Sequence, residues 1–220
     1  MVSVPSAIFF DVDGVLIDSM DIKAEAFAAA FADRPDLRDA IFALHHANGG
    51  VTRSAKIALI FRTLLKVEPT PGDIDERVAA FSDAVVTHVV AAPAIEGADD
   101  AVAHWSGLTE LHAVSATPDD ELKRIFDSRG MTELFATVQG CPPAKADLVD
   151  ATIVQRGLDR ARCVLVGDSR EDHAAAQATG IAFIQVRPAG VPVFAHGVAS
   201  IPDLRELDQA ISAALAHATE

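Results

Sequence analysis

Tyrosine is absent from this chain, tryptophan occurs once and cysteine twice, and Lys and Arg together number 18 against 32 Asp and Glu. Each scarcity excludes something. Cys141 and Cys163 form no CxxC pair, so neither a disulfide framework nor a thiolate zinc site is expected, only two reduced structural thiols. A formal net charge of -14 leaves no basic stripe to neutralise a nucleic-acid backbone, and no nucleic-acid partner is expected. No apolar stretch approaches the roughly 18 residues of a membrane span. The N-terminus also lacks a cationic segment leading into a long apolar core, so the expectations are no membrane partner and a cytoplasmic location. Internal repeats and low-complexity segments are missing too.

What is present is a 220-residue chain that is half hydrophobic, enough for a full core in one domain or in one domain with an insertion. Its most informative segment is the run Ala7-Ile8-Phe9-Phe10-Asp11-Val12-Asp13-Gly14. Four apolar residues in a row suit a strand covered on both faces, and Gly14 permits a tight turn that exposes Asp11 and Asp13 beyond the strand end. Ligands of open α/β sheets gather outside the carboxyl ends of the strands, so the position itself argues for a site.

Residues 19 to about 92 read as helices without a strand. Ile74, Val78, Phe81, Val85 and Val89 draw one apolar face on a helix that Pro71 opens and Pro93 closes. Another helix is expected over Val51–Val67, after the turn signal Asn48-Gly49-Gly50. The spacing of Phe27, Phe31, Phe42, Phe61 and Phe81 points to core filling within this helical segment, and Trp105 is expected to pack a core helix against its neighbours. From Leu108 onward βα alternation takes over. Strands are expected over Leu111–Ser115, Phe135–Val138, Cys163–Gly167 and Ile181–Val186. Helices are expected over Pro118–Arg129 with Thr117 as its cap, after Lys145, and over Arg170–Thr179. The fold class that follows is α/β, a doubly wound parallel sheet formed by residues 1–18 and 93–220, interrupted by an inserted α-helical domain over 19–92 that sits on one rim as a lid.

Three strands end in reactive polar groups: Asp11 with Asp13, Ser115, and Asp168 with Asp172 four residues on. Lys145 lies between the second and third. Parallel strands deliver such ends to one rim. An acidic protein handling an anionic phosphate must also supply local cations, which favours a bound metal and a few placed Lys or Arg side chains. His45 and His46 are adjacent on a helix, with no third ligand at a matching spacing, and are not expected to bind metal.

Through DxDGV at Asp11–Val15, VSAT at Val114–Thr117, Lys145, and GDSxxD at Gly167–Asp172, in that order, the chain resembles the haloacid dehalogenase superfamily of Asp-nucleophile phosphohydrolases. The helical segment falls where the subgroup related to phosphoglycolate phosphatase and β-phosphoglucomutase carries an α-helical cap. The resemblance implies a Rossmann-like core and a division of labour. Asp11 is the nucleophile that forms an aspartyl-phosphate, and Asp13 is the acid and base for leaving group and water. Asp11 and Asp168 hold Mg²⁺, with the backbone carbonyl of Asp13 and with Asp172 helping directly or through water. Ser115 and the N–H of Ala116 bind phosphoryl oxygens, while Lys145 offsets charge. Ala116 departs from the Asn or Gly common in relatives, but it leaves the hydroxyl and N–H in place.

Asp13 narrows the chemistry, because the superfamily's dehalogenases and phosphonate hydrolases lack the second Asp and its transport ATPases carry Thr there. In the insert, Gly50–Lys56 resembles the substrate-specificity segment of capped relatives, which points to Arg53, and after it Lys56, as contacts to an anionic substrate. The expectation is a Mg²⁺-dependent phosphatase for a small soluble phosphomonoester such as phosphoglycolate or a sugar or polyol phosphate, acting as a monomer or homodimer. The alternatives are a phosphomutase of the β-phosphoglucomutase type and a non-catalytic binding protein on the same fold.

Overall fold

In the computed structural model of the protein, residues 4–187, 194 and 198–217 are described, so parts of the expected core segment (1–3, 188–193, 195–197 and 218–220) lie outside them. Six parallel strands form one sheet: β1 (Ala7–Phe10), β2 (Glu110–Pro118), β3 (Thr137–Cys141), β4 (Cys163–Gly167), β5 (Ala182–Val186) and β6 (Ala199–Ile201). Their order is β3-β2-β1-β4-β5-β6. This is the doubly wound order whose reversal point lies at the first strand. Strands β1 and β4 are buried at every residue, as central strands covered on both faces must be.

The pleat of β1 divides the core. Ile8 and Phe10 join Phe126, Trp105 and Ile211, while Ala7 and Phe9 pack with Val149, Ile153 and Ala176 on the opposite side. The first group belongs to helices α5 (Ala98–Ser106), α6 (Asp119–Arg129) and α9 (Leu207–His217), and the second to α7 (Lys145–Arg156) and α8 (Arg170–Thr179). Trp105 is fully buried and also donates from Nε1 to Asp208 Oδ1 at 2.9 Å, so it packs as expected and ties α5 to α9.

Between β1 and α5 the chain is helical: α1 (Met20–Ala30), α2 (Arg38–Ala47), α3 (Arg53–Ile60) and α4 (Pro71–Ala91). Both ends of this insert leave the core at one place. Asp18 N–H donates to Pro93 O at 2.9 Å and Ile95 N–H to Leu16 O at 3.1 Å. The Phe27 and Phe81 rings meet at 4.4 Å, and Phe31 and Phe61 at 5.5 Å, so these four fill the insert's core. Phe42 does not. It is only half-buried and carries the Arg38 guanidinium 4.4 Å above its ring.

Three elements differ by more than one residue from the bounds that periodicity suggests. The Val51–Val67 helix is regular only over α3, continues as a π-helical turn through Leu65, and stops at Lys66, whose φ of 59° is left-handed. The third strand begins at Thr137, not Phe135. Phe135 is an anchor in the preceding loop, edge-on to Phe126 at 5.2 Å and to Phe10 at 6.2 Å, so its apolar character marks the core and not the strand. The second strand runs on to Pro118 with an irregular register after Ser115, and α6 starts without Thr117 as its side-chain cap. The reason is that the Thr117 hydroxyl bonds elsewhere, as described below.

Among the described residues no helix is long and apolar enough to cross a membrane. Phe126 is fully buried where α6 meets the sheet, and Phe126→Ala should lower the unfolding free energy by about 3–5 kcal/mol in urea titrations.

Candidate active site

The turn after β1 begins while pairing with β4 still holds, Asp11 N–H donating to Val166 O at 2.9 Å. It closes at Gly14, where φ is +77° and an added Cβ would lie 2.4 Å from Asp168 Oδ2. Glycine thus serves twice: it adopts the left-handed conformation and lets the end of β4 come against the end of β1. Asp11, Asp168 and Asp172 converge there, offering one oxygen each within 4.8 Å of one another.

Lys145, the first residue of α7, bridges this cluster. Its Nζ lies 2.9 Å from Asp11 Oδ1 and donates to Asp172 Oδ1. Asp172 is fully buried and is held by a capping box at the start of α8. Its Oδ2 accepts from Ser169 N–H at 3.0 Å and Ser169 Oγ at 2.6 Å, and its own N–H donates to Ser169 Oγ at 3.2 Å. One ammonium does not balance three carboxylates. Burial, with the charge of Asp172 next to it, pushes the Asp11 carboxyl up to about 7 against the opposing pull of Lys145. Burial, then Asp11 and Asp172, hold Asp168 well above the ordinary carboxylate range. Burial alone would lower Lys145, but Asp11 and Asp172 outweigh it and keep the ammonium protonated. An excess of buried negative charge on oxygen-only donors fits a hard divalent cation such as Mg²⁺.

Asp13 faces a different set of partners. Lys23 donates to its Oδ2, Ser19 Oγ donates to its Oδ1 at 2.6 Å, and Thr117 Oγ1 donates to Oδ2 at 3.2 Å. Lys23 Nζ also donates to Thr117 Oγ1 at 2.8 Å. Burial opposes ionisation of Asp13, yet the charge and hydrogen bonds of Lys23, with those of Ser19 and Thr117, hold its carboxyl below the ordinary range. Its carboxylate therefore stands apart from the three-carboxylate cluster.

A small, partly open cavity of about 50 Å³ lies between rim and insert. Asp11, Asp13 and Asp168 contribute from the rim, and Lys23, Arg53 and Lys56 from the insert. Arg53 donates from Nη1 and Nη2 to Glu121 Oε1 and Oε2 at 2.8 and 2.5 Å, across to α6, and stacks 4.2 Å over the Phe81 ring. Lys56 is buried and sits 3.0 Å from His45 Nδ1. Burial, reinforced by Lys23, brings Lys56 down to about 8, and burial followed by Lys56 brings His45 down to about 3, so this histidine is neutral.

The structure thus gathers Asp11, Asp13, Asp168, Ala116, Arg53 and Lys56 around one cavity. Ser115 and Lys145 line a neighbouring apolar groove of about 470 Å³ that shares Gly50, Val51 and Ala116 with it. Ser115 Oγ accepts from Thr117 N–H at 3.1 Å, which fixes the hydroxyl and leaves its proton to donate. Sequence reading assigns Thr117 to the helix cap, and the structure corrects this, because its hydroxyl belongs to the Asp13 network. Lys23, Ser19, His45 and Glu121 carry no motif at all. A faint signal exists only for Lys23, one helical turn after Ser19 and facing the same way.

Over residues 5–180 the sequence matches the family described as haloacid dehalogenase-like hydrolase. No curated protein matches it in sequence. Solved structures share the fold. CbbY from Rhodobacter sphaeroides in complex with xylulose-(1,5)bisphosphate is similar with a TM-score of 0.73 at 21% identity, over 92% of this chain and 96% of that one. A predicted phosphoglycolate phosphatase from Haemophilus somnus gives a TM-score of 0.75 at 17% identity, over 95% and 99%. A haloacid dehalogenase-like family hydrolase from Xanthomonas campestris gives 0.67 at 19%, over 98% of both chains. With its fold, its rim of carboxylates and a family match across most of its length, the chain belongs to the haloacid dehalogenase-like hydrolases.

Proposed function

We propose that the protein is a metal-dependent phosphatase that hydrolyses a small phosphomonoester through a phosphorylated Asp11, with residues 19–92 acting as its cap. The observation that carries this reading is Asp11 itself, a buried carboxylate held by Lys145 at 2.9 Å and opening on a cavity that the insert lines with cations. Asp11 and Asp168 are suited to hold Mg²⁺, with the carbonyl oxygen of Asp13. When bound, the metal supplies positive charge that lowers the repulsion between carboxylates and phosphoryl oxygens. Both oxygens of Asp172 already accept hydrogen bonds, so its main task is to hold Lys145 in place.

In the first step Asp11 attacks phosphorus in line, the P–O bond to the leaving group breaks, and Asp13 delivers a proton to the departing oxygen. In the second, Asp13 takes a proton from water, which attacks phosphorus and releases Asp11 and inorganic phosphate. Lys23, Ser19 and Thr117 keep Asp13 ionised before substrate arrives. The negative charge of the substrate works against that hold, so Asp13 takes up a proton from solvent as substrate binds, and this is the proton it delivers in the first step. Ser115 and the N–H of Ala116 bind phosphoryl oxygens, and Lys145 offsets charge on Asp11 during transfer.

Relatives in structure include a predicted phosphoglycolate phosphatase and a protein solved with a sugar bisphosphate. They support a small acid phosphate or sugar phosphate as substrate. Lys56 has no carboxylate in ion-pair range among the described residues, which suits it to an acidic or hydroxyl group of that substrate.

A phosphate-release screen over phosphoglycolate, sugar phosphates, polyol phosphates and nucleotides should show Mg²⁺-dependent turnover that Asp11→Asn abolishes and Asp13→Asn lowers about 10²–10⁴-fold. Undiminished turnover in Asp11→Asn sinks the mechanism, whereas consumption of a sugar phosphate without net phosphate release assigns a mutase.

Stability of chelator-treated protein gives a second check. Folded Asp11 binds its proton up to about pH 7, against 3.8 for an ordinary Asp. The stability it contributes is complete below about pH 4 and is lost as pH rises towards 7. Asp11→Asn escapes this loss, so its Tm advantage over the unsubstituted protein should grow from pH 4 to 7, level off above, and shrink when Mg²⁺ is added. A pH-independent difference would contradict the electrostatics.

A further inference from the structure

Resting on the phosphatase reading, we propose that Glu121 is a specificity-determining residue: it occupies the Arg53 guanidinium and thereby restricts the site to substrates with a single phosphate, excluding bisphosphates. Three insert cations line the cavity, and two are already matched. Lys23 is spent on Asp13, and Arg53 is spent on Glu121 through both terminal nitrogens. Arg53 is further fixed by its stacking on Phe81 and by Ser82, whose hydroxyl accepts from Nη1. Its guanidinium cannot turn towards a ligand without giving up these contacts. Both members of the pair are largely buried, with side-chain exposures of 8% and 15%.

A second phosphate entering the cavity would meet a neutral pair with a carboxylate behind it. Displacing a buried bidentate carboxylate strands its charge, and leaving it in place sets a dianion near a like charge at low dielectric. Of Arg53 only Nε is without a partner, and it offers one N–H. Lys56 is then the sole cavity-lining cation among the described residues without a carboxylate partner, and one ammonium balances one negative charge. Glu121 comes from the core helix α6, outside the insert segment that carries Arg53, and works by rejecting a competitor instead of attracting the substrate.

Fructose 6-phosphate and fructose 1,6-bisphosphate, which differ by one phosphate, test this. In Glu121→Gln and Glu121→Ala the ratio of kcat/KM for the bisphosphate to that for the monophosphate should rise at least tenfold over the unsubstituted protein. It should fall back when Arg53→Ala is added. A smaller rise, or an equal change for both substrates, overturns the proposal, because the pair would then only latch the insert to the core. The same ratio is read as dissociation constants by calorimetry in an Asp11→Asn background, where no turnover is needed. A tenfold gain in relative bisphosphate binding without turnover in any active-site-intact protein would sink the phosphatase reading and keep Glu121 as the selector. No gain in binding overturns the selector whatever the activity.

Discussion

A single ammonium placed among buried carboxylates governs this molecule. Lys145 sits between Asp11 at the end of β1 and Asp172 in the first turn of α8, and so joins three elements that are not neighbours in the sequence. Breaking a buried pair of this kind leaves a charge without a partner, at a cost far above that of a surface ion pair. Its surroundings are built to prevent this. Ser169 fixes Asp172 from two sides, Gly14 lets Asp168 approach, and the all-apolar strands β1 and β4 hold the two rims level.

The insert answers the rim with opposite charge. In a chain where acids outnumber bases, three basic side chains are concentrated on one small cavity wall, and each is treated differently. Lys23 is committed to a carboxylate of the rim, Arg53 to one on α6, and Lys56 to a neutral imidazole. The first two also tie the insert to the core. Gly50 adds a third point of approach, since a Cβ there would come within 2.5 Å of Ser169 Oγ, the residue that holds Asp172. The loop leading into Arg53 therefore touches the support of the carboxylate cluster itself.

Much of the core could be read from the sequence because its signals are local. The strand Cys163–Gly167 and the helix Arg170–Thr179 coincide with expectation, since an unbroken apolar run and a Ser-to-Gly span of helix leave little choice. Asp11, Lys145 and Asp168 stand just past strand ends or at a helix start, where topology brings them together, and Ser115 lines the adjoining groove. Thr117, Lys23 and Glu121 were opaque for the opposite reason. Thr117 reaches Lys23 across 94 positions and Arg53 reaches Glu121 across 68. Periodicity reports which face is buried but not which polar atom meets which, and Thr117 fits a local capping rule in the sequence although its hydroxyl serves distant partners instead.

The two strands of backbone that enter and leave the insert are hydrogen-bonded to each other, Asp18 to Pro93 and Ile95 to Leu16. Ile17 bridges on one side to Asp13 and on the other to Ala94. The insert's beginning and end are thus adjacent points on the rim, and among the described residues no strand of the sheet pairs with the length of chain between them. A different bundle of helices whose termini lie equally close could be exchanged at this junction without disturbing strand order or register. The wall that faces the rim carboxylates could thus be replaced as one cassette, while Glu121 on α6 stays with the sheet.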